Sequence, residues 1–152
     1  MALTPDVTRS LVFGALVVHG LGHVGAIGAL MWRALVSVDA ADRSGWLAPR
    51  SWLLPWLDLP SATLVAYGCW LMAAVGFTVA ALLFWFGLPS EPPQLELWRF
   101  VALAAAVVSL VGLLTFFGTW PWFNTVAALS VNVVVIVTQL FMRWPTTRAL
   151  GG

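Results

Sequence analysis

There is no lysine in this chain; all seven basic side chains are arginine. A lysine Schiff base, and with it any retinal-type linkage, is excluded. Cysteine is scarce as well. Cys69 alone can form no intramolecular disulfide and can support no dithiol chemistry within one chain. It lies deep in an apolar stretch beside Trp70, where a thiol serves as inert packing. Charge of either sign is sparse, at 9% of 152 residues, against about 25% in an ordinary soluble domain. So few charges cannot cover a water-facing surface. No basic patch is large enough for nucleic acid. No carboxylate stands in the middle of an apolar run, which argues against a carboxylate-based proton or cation relay. Phosphate-binding loop, nucleophile elbow and zincin helix are all missing. The two halves show no repeat of interrupted helices, so a self-contained inverted-repeat transporter is not supported.

What the chain has is apolar length. Hydrophobic residues make up 61% and mean hydropathy is +0.95. Four apolar runs occur, at 10–32, 61–86, 97–117 and 122–142, and about 20 apolar residues suffice to cross a bilayer as a helix. Helices are the default there because backbone groups in lipid must pair within their own segment. The runs lack the alternation of barrel strands. The expectation is one all-α membrane domain over 1–152, a four-helix up-down bundle whose principal partner is the lipid bilayer. The first run is too long for a cleaved signal peptide and continues into Arg33.

The breaks are marked by residue type. Asp6 and Thr8 are candidate N-caps for the first helix. Pro60 and Ser61 open the second, and 87–93 is rich in Gly and Pro. Glu96 suits the first turn of the third helix by its charge. Only 118–121 separates the third run from the fourth, which calls for an antiparallel hairpin. The first connection, 37–59, interleaves Asp39, Asp42, Arg43, Arg50 and Asp58 with Trp46, Trp52 and Trp56. That composition suits a segment lying in the headgroup region, either as a simple loop or as a lid over a pocket. Nine of the ten Trp residues fall near run ends, as in an aromatic belt, and only Trp70 is well inside. With both termini on one side, Arg9, Arg99, Arg143 and Arg148 oppose Arg33, Arg43 and Arg50. Four against three leans to cytoplasmic termini.

The strongest local feature is His19-Gly20-Leu21-Gly22-His23. Its imidazoles are spaced i, i+4 on one helical face. From the start of the run at Ser10, His19 should lie about 15 Å into the membrane. Ionisable groups at that depth usually face the bundle interior and mark function. Ala15, Gly22 and Ala26 share the face, leaving room for another helix or a flat ligand. One reading makes His19 and His23 ligands of a tetrapyrrole or of a transition metal. A second has a neutral His bind a lipid, a quinone or a proton path. A third has both His act as interhelical glue while Gly22, Gly25 and Gly28 form a packing surface.

Two further stripes could line a pocket. On the fourth helix they are Asn124, Ala128, Asn132, Val135 and Gln139; on the second, Thr63, Tyr67, Trp70, Ala74 and Thr78. Ser109 and Thr115 share no face, so the third helix is expected to be the most lipid-exposed. The function expected is a non-catalytic accessory or small-molecule-binding subunit of a membrane assembly, with other subunits or a second copy as partners. The alternatives are a redox protein or enzyme using His19 or His23 as ligand or general base, and a small oligomeric transporter.

Overall fold

In a computed structural model, residues 4–36, 45–87, 92–146 and 148–151 are described, with the backbone alone for 92–96. Asp39, Asp42, Arg43 and Glu91, together with the Glu96 side chain, therefore lie outside the described residues. The chain is all-helical: α1 is Pro5–Arg33, α2 Leu59–Gly87, α3 Pro92–Thr115 and α4 Trp122–Val137. One π turn, Thr138–Met142, extends α4, and a 3-10 turn follows at Arg148–Leu150. Four helical segments, counting α4 with its π turn, are long and apolar enough to cross a membrane.

Helix ends follow capping chemistry. Thr4, not Asp6 or Thr8, caps α1: its side chain accepts from Val7 N. Pro5 at the first helical position explains the earlier start, since its missing N–H is one the helix would leave unsatisfied. Thr8 is buried and donates to Thr4 O at 3.1 Å. At α2, Asp58 Oδ1 accepts from Ser61 N at 3.0 Å, and hydrogen bonding by the Ser61 side chain first, then by this backbone N–H, lowers the pKa of its carboxyl. Gly118, with φ 90°, makes the turn between α3 and α4.

The helices pack in chain order, α1 on α2, α2 on α3 and α3 on α4, while α1 and α4 touch little. Small residues set the closest approach. A methyl group added at Gly76 would come within 2.8 Å of Ala105 Cβ, and one at Gly112 within 2.8 Å of Cys69 Cβ. The expectation for α3 is thus overturned. In its central stretch 44% of residues are buried, against 22% in α1 and 17% in the last segment. Its buried face is made of Trp98, Ala102, Ala105, Ala106, Ser109 and Leu113, a stripe of mostly small residues that lets α2 come close. The expected packing surface on Gly22, Gly25 and Gly28 is corrected as well. A Cβ at any of the three meets nothing within 4 Å, whereas at Gly20 it meets Ala74 O at 3.2 Å. Gly20 lies on the face turned to α2.

Two apolar clusters result. One joins Val12 and Leu16 to Phe77, Phe84, Trp98 and Ala102; the other joins Ala26 and Leu30 to Trp70, Leu113, Phe116 and Trp120. Trp98 and Trp120 are therefore core residues rather than members of a belt. Trp32, Trp52, Trp56, Trp85, Trp122 and Trp144 remain exposed. The described part of the first connection closes over the α3–α4 turn. Arg33 Nε donates to Trp46 O at 3.0 Å, Leu47 N to Thr119 O at 2.9 Å and Trp52 Nε1 to Leu114 O at 2.6 Å. At the opposite end, the Arg99 guanidinium is buried over the Trp98 ring and donates to Pro145 O. Gln139 joins that end by donating to Trp144 O at 3.0 Å.

The glycines separate into two kinds with opposite expected responses. Gly76→Val and Gly112→Val should each cost about 1–3 kcal/mol by overpacking the α2–α3 contact. Gly25→Ala should stay within about 0.5 kcal/mol of wild type. Thermal unfolding of the purified protein in mild detergent checks all three.

Candidate functional site

Four buried polar side chains meet in a layer between the two apolar clusters: His19 and His23 of α1, Ser109 of α3 and Asn132 of α4. Buried polar groups of this kind must satisfy one another. His19 Nε2 lies 2.9 Å from Asn132 Oδ1, Asn132 Nδ2 donates to Ser109 Oγ at 2.6 Å, and Ser109 Oγ lies 2.9 Å from His23 Nε2. The chain of bonds therefore leaves α1, crosses α4 and α3, and returns to α1.

The roles follow from what each atom can do. Asn132 Oδ1 only accepts, so His19 carries its hydrogen on Nε2. Asn132 Nδ2 only donates, so the Ser109 hydroxyl hydrogen is free to go to His23 Nε2. Ser109 Oγ, with two lone pairs, serves His23 Nε2 as donor or as second acceptor, so the layer fixes the tautomer of His19 alone and leaves His19 Nδ1 as a bare lone pair. The Asn132 amide oxygen faces His19, and turning the amide round would exchange donor and acceptor there. The Phe77 ring sits edge-on to His19 at 4.6 Å and lies parallel to His23 at 6.2 Å; Trp120 packs on His23 at 5.3 Å.

The gap between α1 and α4 opens above this layer as a groove of about 620 Å³. Its α1 wall includes Gly14, Ala15, Val18, His19, Gly22 and His23, and its α4 wall includes Phe123, Asn124, Ala127, Ala128 and Val131, with Trp120 from the preceding turn. The wall is mostly apolar, and the imidazoles interrupt it. Nδ1 of His23 is sealed in without a partner. Nδ1 of His19 also makes no hydrogen bond, but it is not sealed in, and its ring lines the groove.

The residues singled out from sequence separate here. His19, His23 and Asn124 line the groove, and Asn132 lies beneath it as the link to Ser109. Tyr67, Thr78 and Gln139 are not part of the groove wall. Tyr67 is half-buried against Trp70. Thr78 donates back to Ala74 O at 2.8 Å on its own helix, and Gln139 belongs to the Arg99 end. Ser109 was missed because nothing else on its helical face is polar. Its signal was its alanine neighbours, Ala102, Ala105 and Ala106, which mark a buried face. No described residue of the first connection lines the groove, so its described part covers the bundle end without acting as a lid there. Among the described residues no group of three or more His, Cys, Asp or Glu could hold a metal ion. Ligation of a metal or a tetrapyrrole through either Nε2 would break a bond of the polar layer.

No family model, curated protein or solved structure matches the chain.

Removal of Asn132 should be the most damaging single change in the layer. Asn132→Leu leaves His19 Nε2–H without an acceptor and takes one of the two partners of Ser109 Oγ, at about 1–3 kcal/mol. The His19→Ala, Asn132→Ala double-mutant cycle should show coupling near the membrane average of about 0.6 kcal/mol, up to about 1.7. Unfolding by denaturing detergent measures both. Nitrogen-15 NMR of the His19 imidazole reads the polarity directly, with the hydrogen expected on Nε2. Nδ1–H on His19 would mean that the Asn132 amide is turned round.

Proposed function

We propose that this chain is an integral membrane protein, a four-helix up-down bundle, that holds a lipid-soluble small molecule in the groove between α1 and α4. The observation that carries the reading is the groove itself. It is bordered by Leu11, Val18, Phe123 and Val131, it is deepened by Gly14, Ala15, Gly22, Ala127 and Ala128, and it carries imidazole at mid-length of a 29-residue helix. A groove of this volume is within the range of small-molecule sites, which are mostly apolar with a few placed polar groups. An ionisable residue at mid-membrane is by default a functional site.

On this reading the open side between α1 and α4 faces acyl chains, and ligand enters sideways from the bilayer. The exposed Trp32, Trp52, Trp56, Trp85, Trp122 and Trp144 sit at the two interfaces, and the described first connection lies in the headgroup region. The termini are cytoplasmic, by the four-to-three balance of arginine. The role is binding rather than catalysis, as an accessory subunit beside other membrane proteins or a second copy. Among the described residues no carboxylate or activated nucleophile lines the groove, and both Nε2 atoms are committed to holding helices together.

Filling the groove tests the proposal. A Cβ at Gly14 or Gly22 meets no protein atom within 4 Å, so the leucines of Gly14→Leu and Gly22→Leu start in open space and both variants should fold. Both should release a hydrophobic molecule that copurifies with the wild-type protein, read by mass spectrometry of organic extracts and of the intact protein in detergent. Equal retention of the same molecule by wild type and both variants would place it elsewhere and sink the groove reading.

A further inference from the structure

The polarity of the buried layer says which kind of molecule the groove accepts. His19 donates through Nε2 to Asn132 Oδ1 at 2.9 Å, so Nδ1 of the same ring is a hydrogen-bond acceptor. It has no protein partner, it is not sealed off, and its ring is nine-tenths buried, with 9% exposure, in the groove wall. Water is scarce at mid-membrane, so a lone pair there is matched by a donor on the ligand. Carbonyls and ethers offer no donor and would face the lone pair unfavourably.

We propose that the groove takes a hydrophobic molecule with an aromatic hydroxyl, of the phenol or quinol class, whose O–H donates to His19 Nδ1. This rests on the groove reading above. The walls select for a flat ring. Gly14, Ala15 and Gly22 on one side and Ala127 and Ala128 on the other leave a slot without bulky side chains, while Trp120 and Phe123 supply aromatic surface. A phenol is a stronger donor than an aliphatic alcohol, and its ring fills such a slot where a flexible chain would lose more conformational entropy. The protein fixes the acceptor in advance. Turning His19 to present N–H to the groove would leave Asn132 Oδ1 without its donor.

The experiment compares 4-octylphenol with 4-octylanisole, the same molecule with its hydroxyl methylated. Binding to the full chain in mild detergent is followed by quenching of tryptophan fluorescence, with nitrogen-15 NMR of His19 in parallel. The phenol should bind about fivefold more tightly, the worth of one net hydrogen bond, and should shift the His19 Nδ1 resonance as that atom gains a donor. His19→Gln keeps an N–H for Asn132 at the place of Nε2 but removes the second ring nitrogen. The preference for phenol over anisole should shrink severalfold in this variant, read as the ratio of the two affinities, and the Nδ1 shift is lost with the ring. An oxidised quinone with a ten-carbon tail should bind more weakly than its quinol.

Equal affinity of phenol and anisole for wild type would overturn the hydroxyl inference and leave the groove reading standing. Tighter binding of quinone than quinol, with Nδ1–H found on His19, would overturn it in favour of a carbonyl. No saturable binding of any probe, or binding unaltered in Gly22→Leu, would overturn the groove reading itself. Should His19→Gln fail to fold, the probe pair and the nitrogen-15 shift on wild type decide alone.

Discussion

The structure depends on one constraint: four polar side chains are buried in a layer between two apolar clusters, and each must find its partner inside the protein. His19, Asn132, Ser109 and His23 meet that constraint with three hydrogen bonds that tie α1, α3 and α4 together. On the membrane reading proposed above, apolar contact cannot specify helix register, because lipid tails are as apolar as leucine. A buried polar chain can. A slip of α4 by one residue would turn Asn132 about 100° away from His19 and Ser109. The layer therefore fixes both rotation and height of three helices, and the alanine-rich contact of α2 with α3 supplies close packing around it.

The groove follows from the same arrangement. α1 and α4 are far apart in sequence and pack little on one another, yet they are held at mid-height by the His19–Asn132 bond. Two helices pinned at one height, with glycine and alanine on their facing sides, leave a slot. Its small residues are not there to let the helices touch. Gly14 and Gly22 have open space where a Cβ would stand, in contrast to Gly76 and Gly112, which sit against a neighbouring helix. The same residue type thus serves two ends, and only its surroundings tell them apart.

This explains which parts of the molecule were legible in the sequence. Helix number and the short α3–α4 turn followed from apolar length and from Gly118 and Pro121, because those depend on local chemistry. The His pair and Asn132 stood out as polar residues inside apolar runs. Ser109 did not, since a lone serine in a helix ordinarily satisfies itself on its own backbone, as Thr78 and Thr63 do here. Gln139 shares a helical face with Asn132, and Tyr67 one with Trp70 and Ala74, but these faces meet different neighbours along the helix, which periodicity alone cannot reveal. The misplacement of α3 has a related cause. A face of Ala102, Ala105 and Ala106 carries little hydrophobic contrast, so its burial comes from close approach of α2 and not from side-chain volume. Trp98 and Trp120 lie at run ends, as belt residues do, yet are core residues. Position along the span was read correctly for them, and rotation about the helix axis was not.

A chain of hydrogen bonds between two imidazoles invites comparison with a proton path, but its chemistry points the other way. Asn132 stands in the middle, and an amide between a donor and an acceptor cannot pass a proton on without becoming an imidic acid. The serine could relay; the asparagine blocks. The layer is thus suited to holding hydrogens in place, and the orientation of the Asn132 amide sets which nitrogen of His19 carries one. Holding them has a consequence at the groove. The tautomer of His19 is set from behind by α4, so the atom it presents in front is set as well. A substitution at Ser109 or Asn132, neither of which lines the groove, therefore acts on whatever occupies it through the tautomer and orientation of one ring.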